Sequence, residues 1–482
     1  MTMDRIRLGR DEYCDRMRGC WLGKNIGGTL GTPYEGQKFV HDLTYYDPIP
    51  EEPLPNDDLD FQLVWLKMLE DRGVDPTFRD FSDYWLKHLS GHWYSEYSFC
   101  TYNLKRGLRP PISGAFQNYF VDEMGSPIRS EIWACVAPGD PQLAATMAWM
   151  DSCMDHAGGE GTWGEMFWSA VESAAFVTSD PGVLIDIGLS MIPISSHISR
   201  CIREAVRCHR AGVRWDEARE RIATTFGHHN ACNAIPNHGF TVVGWLYGKD
   251  FGDKICKAVN CGYDTDCTGA TLGSLLGIVH GAAELPSEWI SPIGDAIVPV
   301  KFTVTEGLPK TVSELVNRTQ VVAERFVSER SRAVEFASTT SLPSDPDSSL
   351  FANGGPRRLH GFDAQSTVVN VNDLQVIFHY GGEPVLQPNV SRVFEVSLRR
   401  RWEPVAANVA ELELAVPEGW IMGEAKVGLD RYSFEVSPGR VEDSNIVRLR
   451  VRSNEVVEEV PLVILGPGAV RPIPASTSAP RA

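Results

Sequence analysis

The stretch "GYDTDCTGATLGSLLGIVHG", residues 262–281, sets two aspartates, Asp264 and Asp266, one residue apart. Gly269, Gly273, Gly277 and Gly281 follow at a strict spacing of four. Leu272, Leu275, Leu276 and Val279 recur at helical spacing, so the segment is read as a helix. Residues four apart share one helix face, and each interior glycine costs about 1 kcal/mol relative to alanine. A face of glycines is tolerated where two backbones must approach closely. The same spacing recurs in "GCWLGKNIGGTLGTPYEG", residues 19–36, with Gly19, Gly23, Gly27 and Gly31. Two bare stripes predict two helices packed on each other, or on neighbours, at the centre of a helical domain. Membrane dimers use small residues at this spacing too. The charge-free run 267–283, however, carries Thr268, Thr271, Ser274 and His280, and a spanning helix wants about 20 mostly apolar residues.

The chain has 482 residues, enough for two or three domains. Hydrophobic and charged contents of 43% and 22% are those of a soluble globular protein. A net charge of −18 argues against nucleic acid as a partner, because phosphate backbone needs clustered Lys and Arg. It leaves room for a phosphorylated small molecule held by a local site. The start, "MTMDRIRLGRDEY", has no apolar core of the signal-peptide kind. All eleven cysteines lie between Cys14 and Cys267, with no C-x-x-C pair. The expectation is reduced, mostly buried thiols in a cytoplasmic protein with no membrane partner.

Residues 1–336 read as helical. "FQLVWLKMLE" places Phe61, Val64, Trp65, Met68 and Leu69 on one face. Residues 337–360, rich in Ser, Pro, Asp and Gly, read as a linker. Beyond it the period becomes two: Phe394, Val396 and Leu398, then Leu412 and Leu414, then Val447, Leu449 and Val451. Such runs predict an antiparallel β-sandwich over 361–470, with Pro461 on an edge strand and a disordered tail at 471–482.

The second acidic cluster, Asn56, Asp57, Asp58 and Asp60 in "PNDDLDFQLVW", precedes an amphipathic helix. Asn and Asp are preferred N-caps, and first-turn acids favour the helix dipole. Capping therefore accounts for either cluster alone. Yet one cap serves one helix end, and each cluster offers more carboxylates than that. Two clusters held at neighbouring helix starts are also what a pair of hard cations would need.

The chain resembles the ADP-ribosylglycohydrolases, including the dinitrogenase-reductase-activating glycohydrolases, over residues 14 to about 290. The resemblance rests on four blocks in order: "GCWLGKNIGGTLGTPYEG", "NDDLD", "GSPIRSEIWA" and "NCGYDTDCTGATLGSLLG". It implies an all-α domain, here followed by the all-β sandwich. It also implies two magnesium ions and cleavage of a glycosidic bond at C1 of an ADP-ribosyl group. Asn56, Asp57, Asp58, Asp264, Asp266 and Cys267 would stand at the metal positions. Glu35, the acid after the opening helix, and Asp58 would handle the proton. Gly125, Ser126 and Arg129 would lie near phosphate or ribose; a buried ion pair is the other reading of Arg129. His156, in "DSCMDHAGGEG", falls where relatives often carry a histidine; substrate contact and a satisfied structural histidine are its two readings. The implied substrate is a small-molecule or protein-linked ribosyl or ADP-ribosyl group.

Three departures set this chain apart. Asn56 replaces the family's Thr or Ser before the paired acids, and its amide oxygen is still able to ligate. Leu59 replaces the Thr after them and is not. Cys267 replaces Thr or Ser after Asp266, and a thiol is a soft, poor partner for magnesium. The expectation is two ions with one site weakened. Asp60 stands where it would compensate as a ligand, but it is read first as an exposed first-turn acid. Cleavage of another ribosyl or furanosyl glycoside or a nucleoside, and a non-catalytic ADP-ribose or nucleotide binder, are the two other functions weighed.

Overall fold

The structure, a computed structural model, describes residues 5–453 and 456–469. It divides into two compact units. The first comprises residues 1–76, 122–152 and 159–360; the second comprises 77–121, 153–158 and 361–482. Residues 77–121 and 153–158, read from sequence with the helical domain, thus group with the strands.

The centre of the first unit is the pair of glycine helices. Arg10–Gly31 and Thr265–His280 run antiparallel, and their stripes meet residue for residue. Gly19 faces Gly277, Gly23 faces Gly273, Gly27 faces Gly269, and Gly31 faces Thr265. A Cβ at any of these glycines would fall less than 3.0 Å from backbone atoms of the partner helix. No other residue fits, which is why the helix-propensity cost is accepted. Arg16 clamps one end, donating from Nη1 at 3.0 Å to the carbonyls of both Ile278 and Val279.

Around this pair stand the helices Asp57–Arg72, Glu160–Ala175, Ala234–Tyr247 and Val312–Arg330. Phe61, Val64, Trp65, Met68 and Leu69 are all buried, as the periodicity predicts. A short parallel strand pair, Ile6–Gly9 with Val334–Ala337, ties the start of the unit to the end of its last long helix. The segment 337–360 is not an extended tether. It contains the turns Asp347–Leu350 and Gly354–Arg357. Asn353 donates to Ser190 O at 3.1 Å, and His360 Nε2 lies 2.7 Å from Met191 O. A composition rich in Ser, Pro and Gly disfavours regular elements but does not prevent docking.

The second unit holds two antiparallel sheets. Among the described residues one has seven strands, built on Ser366–Val371, Leu374–His379, Arg392–Arg400 and Arg431–Ser437. The other has three, Val456–Leu465, Ser444–Ser453 and Glu411–Ala415 in spatial order. Phe394, Val396 and Leu398 from the first share a core with Leu412, Leu414, Val447, Leu449 and Val451 from the second. This is the sandwich that the alternation predicts. Pro461 sits on an end strand of the smaller sheet, the position in a sheet where a missing N–H is tolerated. Leu108, Ile112 and Phe116 complete the same core. The expected tail at 471–482 lies outside the described residues.

Candidate metal centre

Asn56 is extended (φ −145°, ψ 123°), and its side-chain oxygen accepts from the Asp58 N–H at 2.8 Å. It is the N-cap, which leaves the aspartates behind it free of that task. Asp264 precedes the second glycine helix without a side-chain capping bond. Its own N–H donates to Asn237 Oδ1 at 3.2 Å. Capping therefore explains neither Asp58 nor Asp264.

The antiparallel register brings the end of the first glycine helix to the start of the second. The Thr265 hydroxyl donates to Gly31 O at 2.8 Å. Gly36 N–H donates to Tyr263 O at 2.9 Å, and Tyr263 N–H to Gln37 O at 2.8 Å. Glu35, on the connecting turn, is thereby held beside Asp264. Two groups of ligand atoms result, each with its members within 4.8 Å of one another. One is Asp58, Asp266 and Cys267, all buried; the other is Glu35, Cys232 and Asp264, which opens to solvent at Glu35. Asp57 is half-buried in the first helical turn and stands outside both groups.

The electrostatics are those of carboxylates crowded without enough positive charge. Burial pushes the Asp58 carboxyl up to about 7; Lys24 opposes the shift, while Asp57 and Glu131 add to it. Burial and then the charge of Asp58 hold Asp266 at about 7 as well. Asp264 is driven well above the carboxylate range by burial, Asp266 and Glu35. Lys24, the buried cation nearby, lies 3.9 Å from Asp58 Oδ2. It is engaged at 2.7 Å by both Glu131 Oε1 and Ile128 O. Asp58 Oδ2 and Asp266 Oδ1 are buried with no hydrogen-bond partner. Buried charge of one sign is stable only when paired or ligating. Orphaned oxygens converging from separate helix starts fit a divalent cation.

The remaining candidates take other places. Asp60 is not an exposed acid: it is fully buried, and its Oδ2 accepts from Val300 N at 3.0 Å and Thr303 Oγ1 at 2.6 Å. It faces inward because the helix it starts is buried on nearly every side. Gly125, Ser126 and Arg129 are likewise in the core rather than open to a substrate. Arg129 pairs with Asp151 at 2.8 Å, donates to Gly125 O at 2.8 Å and lies 5.1 Å over the Phe61 ring. Ser126 donates to Glu165. His156 belongs to the second unit, buried with Nδ1 2.9 Å from Asp155 and Nε2 3.8 Å from Glu96.

Cys232 was missed by the sequence reading. It lies in "HHNACNAIPNHG", just ahead of the helix Ala234–Tyr247, which Asn233 caps. The available signal was a third polar cluster at a helix start. Asn237 fixes it, donating to Ala231 O at 2.7 Å while accepting from Asp264 N.

The ADP-ribosylglycohydrolase family model matches residues 9–326. A solved chain described as "ADP-ribosylglycohydrolase-related protein complex" is 18% identical, covering 66% of this chain and 99% of its own length, with a TM-score of 0.45. No curated protein matches the chain. By its match over most of its length and by the paired acidic helix starts, the chain belongs to the ADP-ribosylglycohydrolase family, a family of glycosidic-bond hydrolases.

Proposed function

We propose that this protein is a metal-dependent hydrolase of a ribosyl glycosidic bond, with an ADP-ribosyl group on a protein or small molecule as its substrate. The observation that carries the reading is the pair of ligand groups, Asp58 and Asp266 with their orphaned buried oxygens in one and Asp264 beside the exposed Glu35 in the other. A divalent cation bound there supplies charge to fix the ribose hydroxyls and to lower the pKa of a water. Magnesium is what the aspartates alone would select.

The chain's own residues do the rest. Asp58 and Asp266 would hold one cation and Asp264, beside Glu35, a second. Lys24, Glu131, Gln62 and Ser274 form a fixed floor: Gln62 Nε2 donates to Glu131 Oε2 at 2.8 Å, and Ser274 Oγ to Oε1 at 3.0 Å. That floor keeps Asp58 from turning away. Glu35 stands on the open side, where it exchanges a proton with the attacking water or the departing group. Asp58 is the second carboxylate of the site that stands as a proton carrier. Eleven free cysteines suit a reducing compartment such as the cytoplasm. No helix among the described residues is long and apolar enough to cross a membrane.

The test is hydrolysis of ADP-ribosyl-arginine, ADP-ribosyl-serine, nucleosides and aryl furanosides, with and without divalent metal, with Asp264→Asn as control. Turnover of an ADP-ribosyl substrate that Asp264→Asn abolishes supports the reading. Turnover of a nucleoside or furanoside alone moves the substrate class. Ligand binding without turnover would replace the enzyme with a binding protein.

A further inference from the structure

Each of the two ligand groups contains one thiol: Cys267 beside Asp58 and Asp266, and Cys232 beside Glu35 and Asp264. Cys267 Sγ lies 3.5 Å from Asp58 Oδ1, and Cys232 Sγ lies 4.0 Å from Glu35 Oε1. The two thiols come from different helix starts, so no single substitution placed both there. Both are held by backbone. Cys267 sits in the first turn of the glycine helix. The Cys232 carbonyl accepts from Met124 N at 2.9 Å, and its N–H donates to Asn230 Oδ1 at 3.3 Å. The orphaned Asp58 Oδ2 and Asp266 Oδ1 mark the first group independently of its sulfur.

Magnesium demands a shell of oxygens and gains little from a thiolate. Zinc, borderline-soft, takes Cys sulfur together with Asp or Glu oxygen in four-coordinate sites. Ligands about 2.0–2.3 Å from one tetrahedral ion stand roughly 3.5 Å apart. The separation of Cys267 Sγ from Asp58 Oδ1 already equals that value. A site meant for magnesium would have no use for sulfur at both positions.

We infer that this metal centre selects a borderline-soft divalent cation of the zinc class over magnesium, with Cys267 and Cys232 as thiolate ligands. The inference rests on the reading that the two groups bind metal at all. On binding, each thiol gives its proton to solvent and its sulfur lone pair to the cation, with no redox change.

The experiment uses the full-length protein, stripped of metal and titrated with cobalt(II) as a spectroscopic stand-in for zinc. The expected result is a near-ultraviolet thiolate-to-cobalt band. It weakens in Cys267→Ser and in Cys232→Ser and is unchanged in Cys14→Ser. Zinc displaces the cobalt, and a large excess of magnesium does not. Either serine variant also loses at least the ~10–100-fold in zinc affinity that removal of a supporting partner costs a metal site. The band in the wild-type protein is read without any variant, so a misfolded mutant does not obscure the answer. Cobalt bound in dialysis without a thiolate band, or displaced readily by magnesium, would overturn the inference and leave metal-dependent hydrolysis standing. Absence of binding by cobalt, zinc, manganese and magnesium alike would overturn both.

Discussion

Gly27 and Gly269 face each other with no side chain between the two helices, and a Cβ on either would overlap the other's carbonyl. That contact is the middle rung of the register that places Glu35 beside Asp264. The candidate site is thus a consequence of glycine packing some distance along the same two helices.

Gly27→Ala tests that dependence. Alanine would ordinarily add about 1 kcal/mol of helix propensity. Here the added methyl meets backbone that has no rotamer to change. Overpacking costs ~1–3 kcal/mol, and more where nothing yields. The expected outcome is a net loss of stability in urea or thermal unfolding, together with loss of metal binding.

Gly28→Ala separates packing from function. Its Cβ would meet only the Asn56 Nδ2 closely, and a side-chain end moves aside cheaply. Stability should stay within about 1 kcal/mol of wild type, since a lost cap of that size is offset by helix propensity. Metal affinity, measured by titration calorimetry, should fall because loss of the Asn56 cap loosens the helix turn that holds Asp58.

Arg129→Met distinguishes a core role from a substrate role. Removal of the guanidinium takes from the buried Asp151 its charged partner, while its Oδ2 still accepts from Trp133 Nε1 at 2.9 Å. Breaking such a pair costs ~3–5 kcal/mol. The expected result is a large fall in unfolding free energy, with KM of the folded fraction unchanged. A raised KM at unaltered stability would instead return Arg129 to the substrate.

His238 makes an acid-sensitive contribution to the helical unit. It is fully buried, stacked on Trp168 at 5.8 Å, with Nδ1 2.6 Å from Ala234 O. Burial pulls it down to about 4. Its unfolded value is about 6.5. Between the two the unfolded chain binds the proton and the folded one does not. Its contribution is therefore intact above pH 6.5 and lost as pH falls toward 4. The buried carboxyls of Asp58, Asp264 and Asp266, whose values are raised, act in the opposite sense over the same range. The His238 contribution is therefore read as the difference between the wild-type and His238→Gln profiles of unfolding free energy from pH 7 to pH 4, and that difference should shrink as the pH falls.

Local pattern alone carried much of this protein. The glycine spacing announced two helices in backbone contact, because only glycine permits that approach. The alternation at Phe394, Val396 and Leu398 and at Val447, Leu449 and Val451 announced the sandwich, because a strand has a period of two. The acidic helix starts were visible for the same local reason: a cap has a short sequence signature. What sequence could not decide was which side chains turn inward. Asp60 and Arg129 were ambiguous because charge predicts exposure unless a partner elsewhere in the chain neutralises or hydrogen-bonds it. Asp151 and Thr303 are such partners, and only packing brings them near. Residues 77–121 read as helix correctly, yet their grouping with the strands depends on Leu108, Ile112 and Phe116 finding a core centred more than two hundred residues away. Cys232 joined Glu35 and Asp264 for the same reason. Its place is set by the Asn237 bonds and the helix register, tertiary constraints that leave no periodic trace in the chain.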